Sequence, residues 1–135
     1  GSETLLVALP SLLLVASILT VNNTCDIAGD RHAGRKTLSI LLGRRIAARL
    51  IYLLGATGFL LTGLNALLGT LPRSVLPLLL LSAPLIIREY RLMHRRGYSH
   101  ETKGASMGSI SKLFGIYTLL VVLPLVLSIV VEAGG

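Results

Sequence analysis

Asn22-Asn23-Thr24-Cys25-Asp26-Ile27-Ala28-Gly29-Asp30-Arg31-His32-Ala33-Gly34-Arg35-Lys36-Thr37-Leu38 gathers two acids, two amides and three strong bases into a chain that is otherwise mostly hydrocarbon. Read as helical through its first half, the segment sets Asn22, Asp26 and Asp30 at successive i, i+4 positions on one face, with Asn23 one residue round. Two carboxylates at that spacing suit a hard cation. Mg2+ in particular keeps several waters and is bound through one or two carboxylates plus substrate phosphates, which makes Asp26 and Asp30 the candidate metal-binding and catalytic pair. Arg31, Arg35 and Lys36 stand where phosphate oxygens would lie, and Gly29 and Gly34 permit the backbone to fold back over a ligand. The plain alternative is a solvated loop whose acids merely offset its bases. The adjacent amides, the acid spacing and the apolar runs on either side favour a ligand site.

Those apolar runs set the class. With 53% hydrophobic and 14% charged residues and a mean hydropathy of +0.77, 135 residues leave too much apolar surface for a water-soluble domain. The single cysteine excludes a disulfide framework and a Cys/His zinc site, so Cys25 reads as a small packing residue. His32, His94 and His100 have no spacing that joins them to the acids, and Gly1-Ser2 reads as a tag remnant.

Four membrane spans are expected, at about 4–21, 46–71, 75–93 and 113–131, giving an all-α polytopic membrane helix bundle. An aspartate-rich loop, 22–45, and a polar loop, 94–112, connect them. Glu3 in place of a basic leader, with no small-residue cleavage pattern after the first run, favours a retained span over a signal peptide. Pro10 and Pro124 should kink their helices, and Asn65 reads as an interhelical hydrogen bond at depth. Of the 13 basic residues, only Arg73 falls in the second connection, and the rest flank the first and third. The positive-inside tendency therefore makes the motif loop cytoplasmic, with both termini outside and the chain integral to the cytoplasmic membrane. The net charge of +7 follows from that topology and needs no nucleic acid. The basic rim should attract anionic membrane lipid, or the 94–112 loop could close over an anionic substrate head.

The run Asn22-Asn23-xx-Asp26-Ile27-xx-Asp30-Arg31-xx-Gly34-Arg35-Lys36-Thr37-Leu38-xxxx-Gly43 resembles the second aspartate-rich motif of the UbiA superfamily of intramembrane aromatic prenyltransferases. Its paired asparagines are most similar to the menaquinone-pathway branch, which prenylates dihydroxynaphthoate. The resemblance implies a nine-helix fold of which this chain matches the last four helices. Two aspartate-rich motifs then face each other across a cavity near the cytoplasmic surface. It further implies that Asp26 and Asp30 bind Mg2+ held by an isoprenyl diphosphate, that Asn22 and Asn23 support that site, and that Arg35 and Lys36 neutralise diphosphate oxygens. The partners so implied are an isoprenyl diphosphate and an aromatic acceptor. Only one motif is present, so the chain alone is expected to be inactive, with the opposing carboxylates coming from a missing N-terminal half or a second copy. The Asp26-xxx-Asp30 spacing departs from the Asp-xx-Asp-Gly signature of the CDP-alcohol phosphotransferases. Two other readings remain open: a non-catalytic helical membrane protein binding anionic lipid or a partner, and a prenyltransferase acting on para-hydroxybenzoate or another acceptor.

Overall fold

A computed structural model describes residues 1–135, all in helices and short connections. The helices are α1 (Ser2–Cys25), α2 (Ile27–His32), α3 (Leu38–Leu42), α4 (Arg44–Leu68), α5 (Val75–Arg96) and α6 (Lys103–Gly134). The four long ones form a ring of neighbours in which α1 packs chiefly on α4, α4 on α5, α5 on α6, and α6 back on α1. Short connections make successive helices antiparallel. Leu14, Val21, Ile51, Met93, Ile110 and Leu113 fill the centre, each almost wholly buried. Leu60, Leu80, Leu119 and Val131 point outward and are largely exposed. An apolar exterior around a packed interior is the arrangement of a helix bundle in lipid.

Three of these helices, α1, α4 and α6, are long and apolar enough to cross a membrane. The fourth expected span, α5, is not among them, because Arg88, Glu89, Arg91, Arg95 and Arg96 crowd its second half. The expected polar loop 94–112 also contracts to 97–102, since α6 already begins at Lys103. Two of its serines face inward with the apolar Ile110: Ser106, Ser109 and Ile110 are buried, while Ser111 and Lys112 are exposed, and Arg96 Nη2 donates to Ser109 Oγ at 2.7 Å. A periodicity of polar residues that bury reads as a loop when burial is inferred from hydropathy alone. The second span ends at Leu68 rather than 71, where Gly69 at φ 82° donates its N–H to Ala66 O and closes the helix in a left-handed cap.

Asn65 explains how α1 tolerates Pro10. Proline lacks the N–H that would bond the carbonyl four residues earlier, here Leu6. Asn65, with 0% exposure, donates from Nδ2 to that Leu6 carbonyl at 2.9 Å. Thr70 Oγ1 in turn donates to Asn65 Oδ1 at 2.7 Å. The interhelical bond expected of Asn65 is therefore the substitute for the one that Pro10 removes.

Between α4 and α5 the close approach depends on Gly55. A Cβ built there would fall on the hydroxyl of Tyr90, the end of a rigid ring that is packed against Tyr52 at 5.6 Å between centroids. Gly55→Ala is expected to force α4 and α5 apart and destabilise the bundle by about 1–3 kcal/mol. Gly104→Ala, with open space at the Cβ position, should be nearly neutral. Thermal unfolding of both variants in detergent checks the contrast.

Candidate functional site

At one end of the bundle meet the C-terminus of α1, the short helices α2 and α3, the start of α4, the end of α5 and the start of α6. All the basic residues except Arg73 belong to this half of the molecule. The motif begins inside α1, with Asn22 and Asn23 in its last turn and both partly exposed. Asp26 interrupts the helix at φ −99° and ψ 11°, and α2 starts at the next residue. The i, i+4 register nevertheless survives. Asp26 N–H bonds Asn22 O at 3.2 Å, and Asp30 N–H bonds Asp26 O at 2.8 Å. Asn22, Asp26 and Asp30 thus remain stacked, as their spacing predicts, although one residue lies outside regular helix.

Each aspartate has a cation. Arg35 Nη1 lies 3.3 Å from Asp30 Oδ1, and the Arg35 N–H also bonds the Asp30 carbonyl at 2.8 Å. Gly34 makes that return possible: its φ of 75° is open to glycine and strained for other residues. Gly29, the other glycine expected to turn the chain, is instead within α2. Asp30 is only 7% exposed, whereas Arg35 is largely in solvent. Arg31 and Lys36 are exposed and form no ion pair, so the structure does not bring them to the carboxylates.

The partner of Asp26 comes from far along the chain. Lys103 Nζ, in the first turn of α6, sits 2.6 Å from Asp26 Oδ2. Sequence reading leaves Lys103 as one cation among several in a loop that could close over an anion. A separation of 77 residues carries no local signal, and the α1·α6 packing alone produces the pair.

The motif is fastened to the bundle by small polar contacts. Thr24 and Ser39 share a buried hydroxyl hydrogen bond of 3.1 Å, joining α1 to α3. Thr37 Oγ1 caps α3 by accepting from Ile40 N–H at 3.2 Å. Cys25 is 2% exposed within the central core, the packing role its context suggested. Beside it, Tyr98 donates to the Tyr52 hydroxyl at 3.0 Å. Burial, followed by that hydrogen bond, pushes the Tyr98 phenol well above its ordinary pKa, so it stays a neutral donor.

No group of three or more His, Cys, Asp and Glu side chains comes together to hold a metal. The donor set suits a cation completed by a bound molecule rather than one enclosed by protein. Two carboxylates in backbone register, Asp30 paired with Arg35 and Asp26 with Lys103, form the charged centre of this end of the bundle.

The pattern of the UbiA prenyltransferase family matches residues 1–116. This chain belongs to the UbiA prenyltransferase family. A 49-residue stretch is 41% identical to a curated relative, the 1,4-dihydroxy-2-naphthoate octaprenyltransferase of Bacillus subtilis (strain 168). That stretch is 36% of this chain and spans 16% of the relative's length. No solved structure matches the chain. Membership of the UbiA family, with three helices long and apolar enough to cross a bilayer, makes this an integral membrane protein.

Proposed function

We propose that this chain carries one aspartate-rich half of a magnesium-dependent prenyl transfer site, moving an isoprenyl group from its diphosphate to an aromatic acceptor of the dihydroxynaphthoate type. What supports the reading above all is the Asp26–Asp30 register, with a cation on each carboxylate, at the basic end of an apolar bundle of the UbiA family. The likeness to the Bacillus subtilis relative supports the acceptor.

On this reading Asp26 and Asp30 would hold Mg2+ together with the diphosphate, and the metal's contribution is to offset charge on the departing phosphate oxygens. Asn22 and Asn23 orient the site through their amides. Arg35 is free to move from Asp30 to the diphosphate because its side chain is mostly solvated, and Lys103 faces the same choice at Asp26. Arg31 and Lys36 add positive potential without a fixed contact. The allylic C–O bond breaks with its electron pair leaving on the diphosphate, the acceptor's ring carbon bonds the allylic carbon, and the ring proton is lost. Apolar helices around the reacting carbon exclude the water that would otherwise capture it.

A single aspartate pair leaves half of the electrostatic stabilisation to be supplied, and the opposing carboxylates are proposed to come from another polypeptide segment or a second copy. The basic end is taken as cytoplasmic, with α5 as a fourth, protruding span whose arginines reach beyond the lipid. Calorimetric titration of a nonhydrolysable isoprenyl diphosphate analogue into the detergent-solubilised chain, with and without magnesium, tests the proposal. Magnesium-dependent binding is the expected result. Prenyl transfer by the isolated chain would overturn its incompleteness, and binding indifferent to magnesium would overturn the site itself.

A further inference from the structure

Between α4 and α5 a trough opens on the flank of the bundle. Its apolar part encloses about 670 Å³, and a cavity of about 540 Å³ continues it toward the basic end. Tyr52 and His94 line both parts, and neither Asp26 nor Asp30 lines either one. On α4, Arg45, Arg49, Tyr52, Ala56 and Phe59 follow one another at intervals of four, three, four and three residues, a single helix face. That face passes from cationic to apolar over roughly 21 Å of helix axis. Ala56 on α4 and Ala83 on α5 are the small side chains of the trough's apolar part.

The arginines at its head have no protein counter-ion. The ion pairs of the chain employ Arg35, Lys103 and Lys112, and none employs Arg44, Arg45 or Arg49. Unpaired guanidiniums favour a phosphate, which they can bind in a bidentate manner. A trough of hydrocarbon joined directly to that cluster favours a phosphate that carries a long apolar chain. A water-soluble phosphate leaves the trough empty, and a zwitterionic lipid brings a cation to the arginines.

We propose that this trough is a site for one anionic glycerophospholipid, its phosphate against Arg45 and Arg49 and an acyl chain lying along Ala56 and Ala83. The lipid would fill the groove between α4 and α5 and fix the basic end at the membrane surface. This site is independent of the aspartate pair and stands or falls apart from the prenyl transfer reading.

Native mass spectrometry of the full chain, released from detergent after titration with phosphatidylglycerol or phosphatidylcholine, tests it. One retained phosphatidylglycerol is expected, with a preference of at least fivefold over phosphatidylcholine. The pair Arg45→Gln/Arg49→Gln should abolish that preference, and Ala83→Phe should reduce retention by filling the trough. Arg88→Gln/Arg95→Gln, which removes equal charge from the outer face of α5, should leave the preference intact. Circular dichroism melts confirm that each variant is folded, and the arginine pairs keep the test decisive where Ala83→Phe is not. Equal retention of the two lipids, equal losses in the two arginine pairs, or displacement of the lipid by inorganic phosphate alone would overturn the proposal.

Discussion

Asp30→Asn is expected to weaken magnesium-dependent binding of an isoprenyl diphosphate analogue by about a hundredfold, some 2.7 kcal/mol, with Asp26→Asn close behind. The side chain of Asp30 is 10% exposed and that of Asp26 is 23% exposed, so water screens Asp30 less and its charge acts more strongly on a nearby cation. Lys103→Gln separates two roles for the lysine. If its ammonium transfers from Asp26 to the diphosphate, removing it costs one charge-assisted hydrogen bond, about 1.5–3 kcal/mol, and analogue affinity falls at least tenfold. If it only neutralises Asp26, its removal frees that carboxylate and affinity at limiting magnesium rises. Titrations of the three variants at low and saturating magnesium distinguish these results. Unchanged affinity in both aspartate variants would remove the site from the motif.

The second large effect concerns stability. Asn65→Leu should destabilise the bundle by about 1–3 kcal/mol, because the Leu6 carbonyl then has neither a backbone nor a side-chain donor. Pro10→Ala returns a backbone N–H to that same carbonyl. The double variant Pro10→Ala/Asn65→Leu should therefore lose much less than Asn65→Leu alone, and the two substitutions should fail to add. Denaturation in mixed micelles gives the four stabilities of the cycle. Strict additivity would show that Asn65 contributes through packing and not through the carbonyl that Pro10 exposes.

The two predictions mark where sequence reading succeeds and where it stops. The motif was legible because its chemistry is local: Asn22, Asp26 and Asp30 lie within nine residues, and the backbone hydrogen bonds that stack them span four residues each. The return of Arg35 onto Asp30 was likewise near in sequence, with Gly34 as the visible hinge. Lys103 was legible as a charge but not as a partner. Its position on Asp26 depends on α6 starting at that residue and packing against α1.

By itself, the sequence determined an all-helical membrane class, the place of the aspartate motif, the crowding of basic residues toward one end and the family to which the chain belongs. Each is a property of composition or of short-range spacing, where periodicity and charge act directly. Only the tertiary structure decided that Lys103 guards Asp26, that Asn65 answers Pro10, that Gly55 makes room for Tyr90, and that the arginines of α4 open into an apolar trough. Those contacts join residues tens of positions apart. They arise when helices dock, and side-chain volume and unsatisfied hydrogen-bonding groups select their partners there in ways that no local pattern records.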